Sequence, residues 1–163
     1  MHISDILMYG HLTVQRTVET FPAAEVGTAG ACGYWSVKDL VAHLGSYELV
    51  LVDILDGFIN PGSPTPHLEA FIRPDYNFND EQVNQRQGMT FAEVYAEYQA
   101  AHAQVRDLAA QIPADLWQQS GALPWYGAAY DLEDFIVYTY YGHKREHCGQ
   151  IATFSDRFKG RPQ

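Results

Sequence analysis

Apolar residues return every three or four positions in four separate stretches of this chain, and that periodicity constrains its fold more than any other feature. The first stretch holds Ile3, Leu7, Val14, Val18 and Phe21; the second runs through Val37, Leu40, Val41, Leu44, Leu51, Ile54, Leu55 and Phe58. The third carries Phe91, Val94, Tyr95, Tyr98, Val105, Leu108 and Ile112, and the fourth Leu132, Phe135, Ile136, Tyr140, Ile151 and Phe154. Such steps place each set on one stripe of a helix, and a stripe of that kind must be buried against partners. Strand-like alternation is weak and no internal repeat occurs. The expectation is an all-α fold, a four-helix bundle, in one domain over residues 1–163. With 47% hydrophobic and only 18% charged residues, the composition supplies a core and excludes bulk disorder.

Helix starts are marked as well. Ser36 with Asp39 and Thr90 with Glu93 have the capping-box spacing, and Asp131 with Asp134 suits the start of the fourth helix. About thirty residues separate helices 2 and 3, including NPGSPTPH and YNFNDEQVNQR. A helical hairpin needs only ~2–8, so this segment reads as a long crossover with a short helical turn near Asp80 to Gln87.

Charge and cysteine content narrow the function. Twenty acidic against ten basic residues give a net charge of −10, which repels phosphate backbones and argues against nucleic-acid binding. Cys32 and Cys148 form no CxxC pair and no disulfide framework. The amino terminus has no basic-then-apolar pattern of a leader. The most apolar run, Leu49 to Ile59, is interrupted by Asp53 and Asp56, so no membrane span is expected. The sequence reads as a soluble cytoplasmic protein.

Of the seven histidines, His143 and His147 stand four apart, one turn along the same helix face. Continued from Leu132, Ile136 and Tyr140, the apolar stripe passes through both, so both imidazoles are expected to face the bundle. Two adjacent buried imidazoles cannot both be charged, and a shared metal ion relieves that conflict. His43, beside Leu40 and Tyr47 on helix 2, is placed to supply a third nitrogen. His2, His11, His67 and His102 lack partner spacing and read as surface or structural. Alternative motifs fail on the text. HKREH fits the HxxEH of inverted zinc peptidases, but only sixteen residues follow His147 and none is glutamate. A di-iron bundle needs Glu-x-x-His twice, and none occurs.

YWSVKDLVAHL (Tyr34 to Leu44) followed by GHKREHCGQI (Gly142 to Ile151) resembles the DinB/YfiT-like superfamily, and its ClbS-like branch in the W-x-V-K-D opening. The resemblance covers nearly the whole chain, crossover included. It implies metal ligation by His43, His143 and His147, with zinc or nickel as the ion (iron being another) and open positions for water or substrate. It also implies a hydrolase, or a transferase or isomerase using a low-molecular-weight thiol.

Three neutral imidazoles leave a divalent ion its full charge and at least one free position. Such an ion can generate hydroxide near neutral pH or hold a thiol as thiolate. Glu146 and Glu48 are the candidate catalytic carboxylates, Glu146 as base or ligand-orienting group and Glu48 as a partner for an imidazole. Trp35, Trp125, Tyr126 and Tyr130 form either an aromatic mouth or a plug at the end of the bundle. Tyr47 is a pocket or core residue, and Cys148, about 100° around the helix from His147, a buried structural thiol. The alternatives to a metalloenzyme acting on a small molecule are a metal-free bundle that sequesters one, and a dimerising module. A homodimer is expected.

Overall fold

Each long helix begins where the sequence supplies a side-chain acceptor. In the computed structural model, which describes residues 2–159, α1 spans Ile3–Glu19 and α2 Val37–Ile59. Two short helices follow, α3 over Pro66–Ile72 and α4 over Phe78–Gln85, and then α5 over Phe91–Ala109. The ring of His2 accepts from the Ser4 amide to start α1. Ser36 and Asp39 form a reciprocal capping box at α2, as do Thr90 and Glu93 at α5. Each cap satisfies amides that would otherwise be orphaned, worth about 1 kcal/mol.

The crossover holds more structure than its sequence suggests. α4 covers the expected turn, but α3 is an additional helix whose cap comes from elsewhere. Asp53 of α2, largely buried, accepts from the amides of His67 (2.6 Å) and Leu68 (3.0 Å) just inside α3. Pro66 occupies the first turn, where its missing N–H costs nothing. The far end is tied down too. Lys38 Nζ donates to the carbonyls of Gln87 (2.9 Å) and Met89 (2.7 Å), and Arg86 grips Glu97 through two bonds of 2.7 Å.

The fourth helix departs from the expected regular α-helix. It opens as α6 (Leu132–Ile136), widens into a π-helical segment over Val137–Gly142, and resumes as α7 (His143–Ser155). The segment VYTYYG joins aromatic and β-branched residues to a glycine, none a strong α-helix former. The π segment ends immediately before His143, and such widened turns often lie at functional sites.

The long helices close a ring in which α1 meets α7, α7 meets α2, α2 meets α5 and α5 meets α1. Between α2 and α5 a Cβ at Gly45 would stand 3.5 Å from that of Tyr98, so glycine permits the close approach. One core cluster joins Leu7, Leu51, Leu55, Leu132, Phe135 and Tyr140; another joins Val14, Val41, Leu44, Val94, Tyr98 and Cys148. Fully burying each such side chain contributes roughly 1.5–3 kcal/mol. Among the described residues there is no strand beyond an isolated bridge between Cys32 and Trp35, and no helix long and apolar enough to cross a membrane.

Candidate metal centre

α2 and α7 bring three imidazoles together where the two helices meet. His43 Nε2 lies 2.8 Å from His143 Nε2, and His147 Nε2 lies 2.8 Å from the same atom. All three nitrogens fall within 4.8 Å of one another. His43 and His147 are buried and His143 is half-buried. The expectation that both α7 imidazoles face the bundle interior holds for His147 and is corrected for His143, which is only half-buried. The α7 residues turned most fully into the core at this level are Lys144 and Cys148, at 2% and 5% exposure. His143 lies on the neighbouring stripe, along the seam with α2, where it meets His43.

Protons alone do not satisfy this cluster. A ring nitrogen offers either one N–H or one lone pair, yet His143 Nε2 meets two other nitrogens at hydrogen-bond distance. The other nitrogen of His147 already faces Gln150 Oε1 at 2.8 Å. Donating there, His147 turns a lone pair toward the centre, while the His143 ring meets the Thr139 backbone carbonyl of the π segment. A cation among the three Nε2 atoms satisfies all of them. Zinc–nitrogen bonds of ~2.0–2.1 Å set tetrahedral ligand atoms roughly 3.3 Å apart, so the rings fit such an ion once the two 2.8 Å contacts open slightly and His43 and His147, within 4.8 Å of each other, draw together. The donor set passes the test of chemistry: three imidazole nitrogens, two of the rings already oriented by partners outside the cluster.

The electrostatics favour the same state. Burial, then the neighbouring His143 and His147, push His43 down to about 2; burial, then His147, push His143 down to about 4. Both rings are neutral at pH 7, the form that ligates a metal.

Aromatic rings hold the histidines in place. The Trp35 ring packs on His43 at 5.0 Å between centroids, and Tyr47 lies 4.8 Å from His43 and 4.6 Å from His143. The Tyr47 hydroxyl donates to Asn79 of α4 (3.2 Å), and its ring packs on Phe71 and Phe78. Trp125 and Tyr126 instead pack on Phe135, with Trp125 also against Phe71, so these two plug one end of the bundle. Tyr130 stays exposed beside Tyr126. A cleft of about 290 Å³ opens on His143 and is lined by Tyr47, Tyr138, Thr139, Gly142 and Glu146.

The two candidate carboxylates part company. Glu146 is exposed and stands at the cleft mouth. Glu48 is fully buried and does partner an imidazole, but that of His102: Glu48 Oε2 lies 3.0 Å from His102 Nδ1, and Oε1 lies 2.5 Å from Lys144 Nζ. His11 stacks on His102 at 4.1 Å and shares a 3.2 Å hydrogen bond with the Tyr98 hydroxyl. Periodicity did not single out Lys144, since a lysine in HKREH reads as solvated. Gln150 was likewise missed as the partner of His147, although i+3 spacing brings it within reach.

The chain is thus a helical bundle with an interhelical three-histidine cluster able to hold a metal ion. The family model described as the DinB superfamily matches residues 12–151, and the chain belongs to that superfamily. No curated protein and no solved structure matches it.

Proposed function

We propose that His43, His143 and His147 bind one divalent metal ion, zinc or nickel before iron, and that the protein is a metal-dependent hydrolase of a small molecule. The observation that carries this reading is the convergence of three Nε2 atoms on one point, with no carboxylate or thiolate among them. A divalent ion bound by three neutral nitrogens supplies an uncancelled positive charge and, with zinc, lowers the pKa of a coordinated water to about 7. The chain's own residues do the rest. Gln150 holds His147 in the tautomer that presents its lone pair, while Trp35 and Tyr47 fix the plane of His43 and keep water from one side. Tyr47 and the Gly142 backbone bound the cleft in which a substrate sits. Glu146, exposed at its mouth, takes a proton from the attacking water and delivers it to the leaving group.

Transfer of a low-molecular-weight thiol remains the competing chemistry at the same open position. The Glu146 carboxylate favours hydrolysis, because a thiolate nucleophile needs no base beside it. Elemental analysis of tag-free protein tests the first step. About one ion per chain is expected, lost in His43→Ala and His143→Ala while helicity persists. No metal after reconstitution with zinc and nickel contradicts the proposal. An ester and amide screen with and without added thiol then separates the chemistries: turnover without thiol that falls at least tenfold in Glu146→Gln supports hydrolysis.

A further inference from the structure

Both walls of the space beside the histidines are built on groups that touch them. On one side the Trp35 carbonyl accepts from the amides of Gly30 (3.1 Å), Ala31 (2.9 Å) and Cys32 (3.3 Å), pinning a tight turn, and the Trp35 ring lies against His43. On the other side Gln150 holds His147. Between them a groove of about 490 Å³ runs along α7 from Glu146, past Gly149 and Thr153, to Phe154 and Arg157. Glu146 also borders the cleft at His143, so the two spaces adjoin.

The floor and the far end differ in kind. A Cβ at Gly149 would meet nothing within 4 Å, so the floor is low and open. At the far end the Arg157 guanidinium lies over the Phe154 ring at 5.1 Å. Gly30, at φ +112°, closes on it from the other side, since a Cβ there would stand 3.3 Å from an Arg157 Nη. Acids outnumber bases two to one in this chain, yet none of the ion pairs among the described residues includes Arg157. The neighbouring Asp156 is taken by Lys159. An oriented guanidinium with no carboxylate partner among the described residues offers a planar fork suited to one carboxylate. Glu146 and Asp156 nearby disfavour a doubly charged phosphate. From His147 to Phe154 is seven residues, roughly 10 Å of helix axis.

We infer that this groove seats the tail of an elongated substrate that reacts at the three-histidine centre and carries a carboxylate roughly 10 Å away, anchored on Arg157. The inference rests on the metal-site reading and adds a substrate class to it: ω-carboxylated, mainly unbranched small molecules. Arg157 is the specificity-determining residue.

Two probes test it on the full chain. With zinc-loaded protein, the monohydroxamate of octanedioic acid is compared with octanohydroxamate, which lacks the carboxylate, and with acetohydroxamate. The carboxylated probe should bind about tenfold tighter than octanohydroxamate. Arg157→Gln should erase that difference, Arg157→Lys should restore part of it, and acetohydroxamate affinity should not change. Equal affinities in wild type and Arg157→Gln overturn the inference. The second arm needs no metal: octanoate is titrated into metal-free protein while backbone amide shifts are followed. Shifts at Gly30, Ala31 and Gly149 that weaken at least fivefold in Arg157→Gln support the groove, even if the protein takes up no zinc and the metal reading falls. Absent shifts, or shifts indifferent to Arg157, overturn it whatever the zinc result.

Discussion

Two groups of histidines lie on either side of α7, and they solve the problem of buried imidazoles in opposite ways. His102, with His11 stacked on it, sits beside a carboxylate and an ammonium: Glu48 and Lys144 pair inside the core. There the Glu48 carboxylate and the Lys144 ammonium meet directly. His43, His143 and His147 have no such partners and present nitrogens to one another. Adjacent residues of one helix, His143 and Lys144, therefore differ: one is placed where a cation could bind and the other is itself a cation beside Glu48. Burial and histidine content are common to both groups; what marks the candidate site is the electrostatic demand left unmet in one of them.

The largest effect should come from breaking the satisfied group. Lys144→Met removes the ammonium beside Glu48, at 0% exposure, and leaves its carboxylate only the His102 ring; the loss of one partner of a buried pair costs about 3–5 kcal/mol. At ~2–4 °C per kcal/mol for a domain of this size, the melting temperature should drop by about 10 °C. A drop as small as that of His143→Ala would erase the contrast between the groups. The second effect runs the other way. Zinc at a hundredfold excess over its Kd should stabilise the wild type by about 2.7 kcal/mol and leave His143→Ala unmoved, as calorimetric melts will report. Equal stabilisation of both would place the ion elsewhere.

Gln150→Ala sharpens the comparison further. Removing the partner that orients His147 should weaken zinc about 10–100-fold, measured by chelator competition, with little change in the melting of metal-free protein. The smallest effect separates the groups by pH. His43 is pushed from 6.5 to about 2 by burial first, so its contribution is full above about 6.5 and falls as pH drops. The slope is at most about 1.4 kcal/mol per pH unit. Glu48 is lowered from 4.5 to about 2 by Lys144 and His102, against a burial penalty larger than either, so its contribution is lost only below about 4.5. Metal-free protein should therefore lose stability in two stages. The stage between pH 6.5 and 4.5 should shrink in His43→Ala but persist in part, because burial also lowers His11 and His143 to about 4. Denaturant midpoints across that range measure it, and an unchanged first stage would contradict the assignment to His43.

The bundle, its caps and the His143–His147 pair are legible because each depends on local spacing. Ser36 and Asp39, Thr90 and Glu93, and His143 and His147 all act over three or four residues. What escaped depends on distant groups. α3 needs a cap from Asp53 of α2. The interior position of Lys144 needs Glu48, almost a hundred residues earlier, and Gly10 of α1, where a Cβ would stand 3.3 Å from the lysine chain. The stripe through Tyr140 and His147 was sound, but the π segment and the inward turn of Lys144 left His143 on the seam and half open to the cleft. Glu48 was recognised as an imidazole's partner, but phase on one helix does not say which histidine lies across from it.

X-ray absorption at the zinc edge of reconstituted, tag-free protein tests the central claim most directly. The account predicts three imidazole nitrogens at about 2.0–2.1 Å with a further light-atom ligand and no sulfur. Fewer than three imidazoles, or a sulfur shell implicating Cys32 or Cys148, would contradict it.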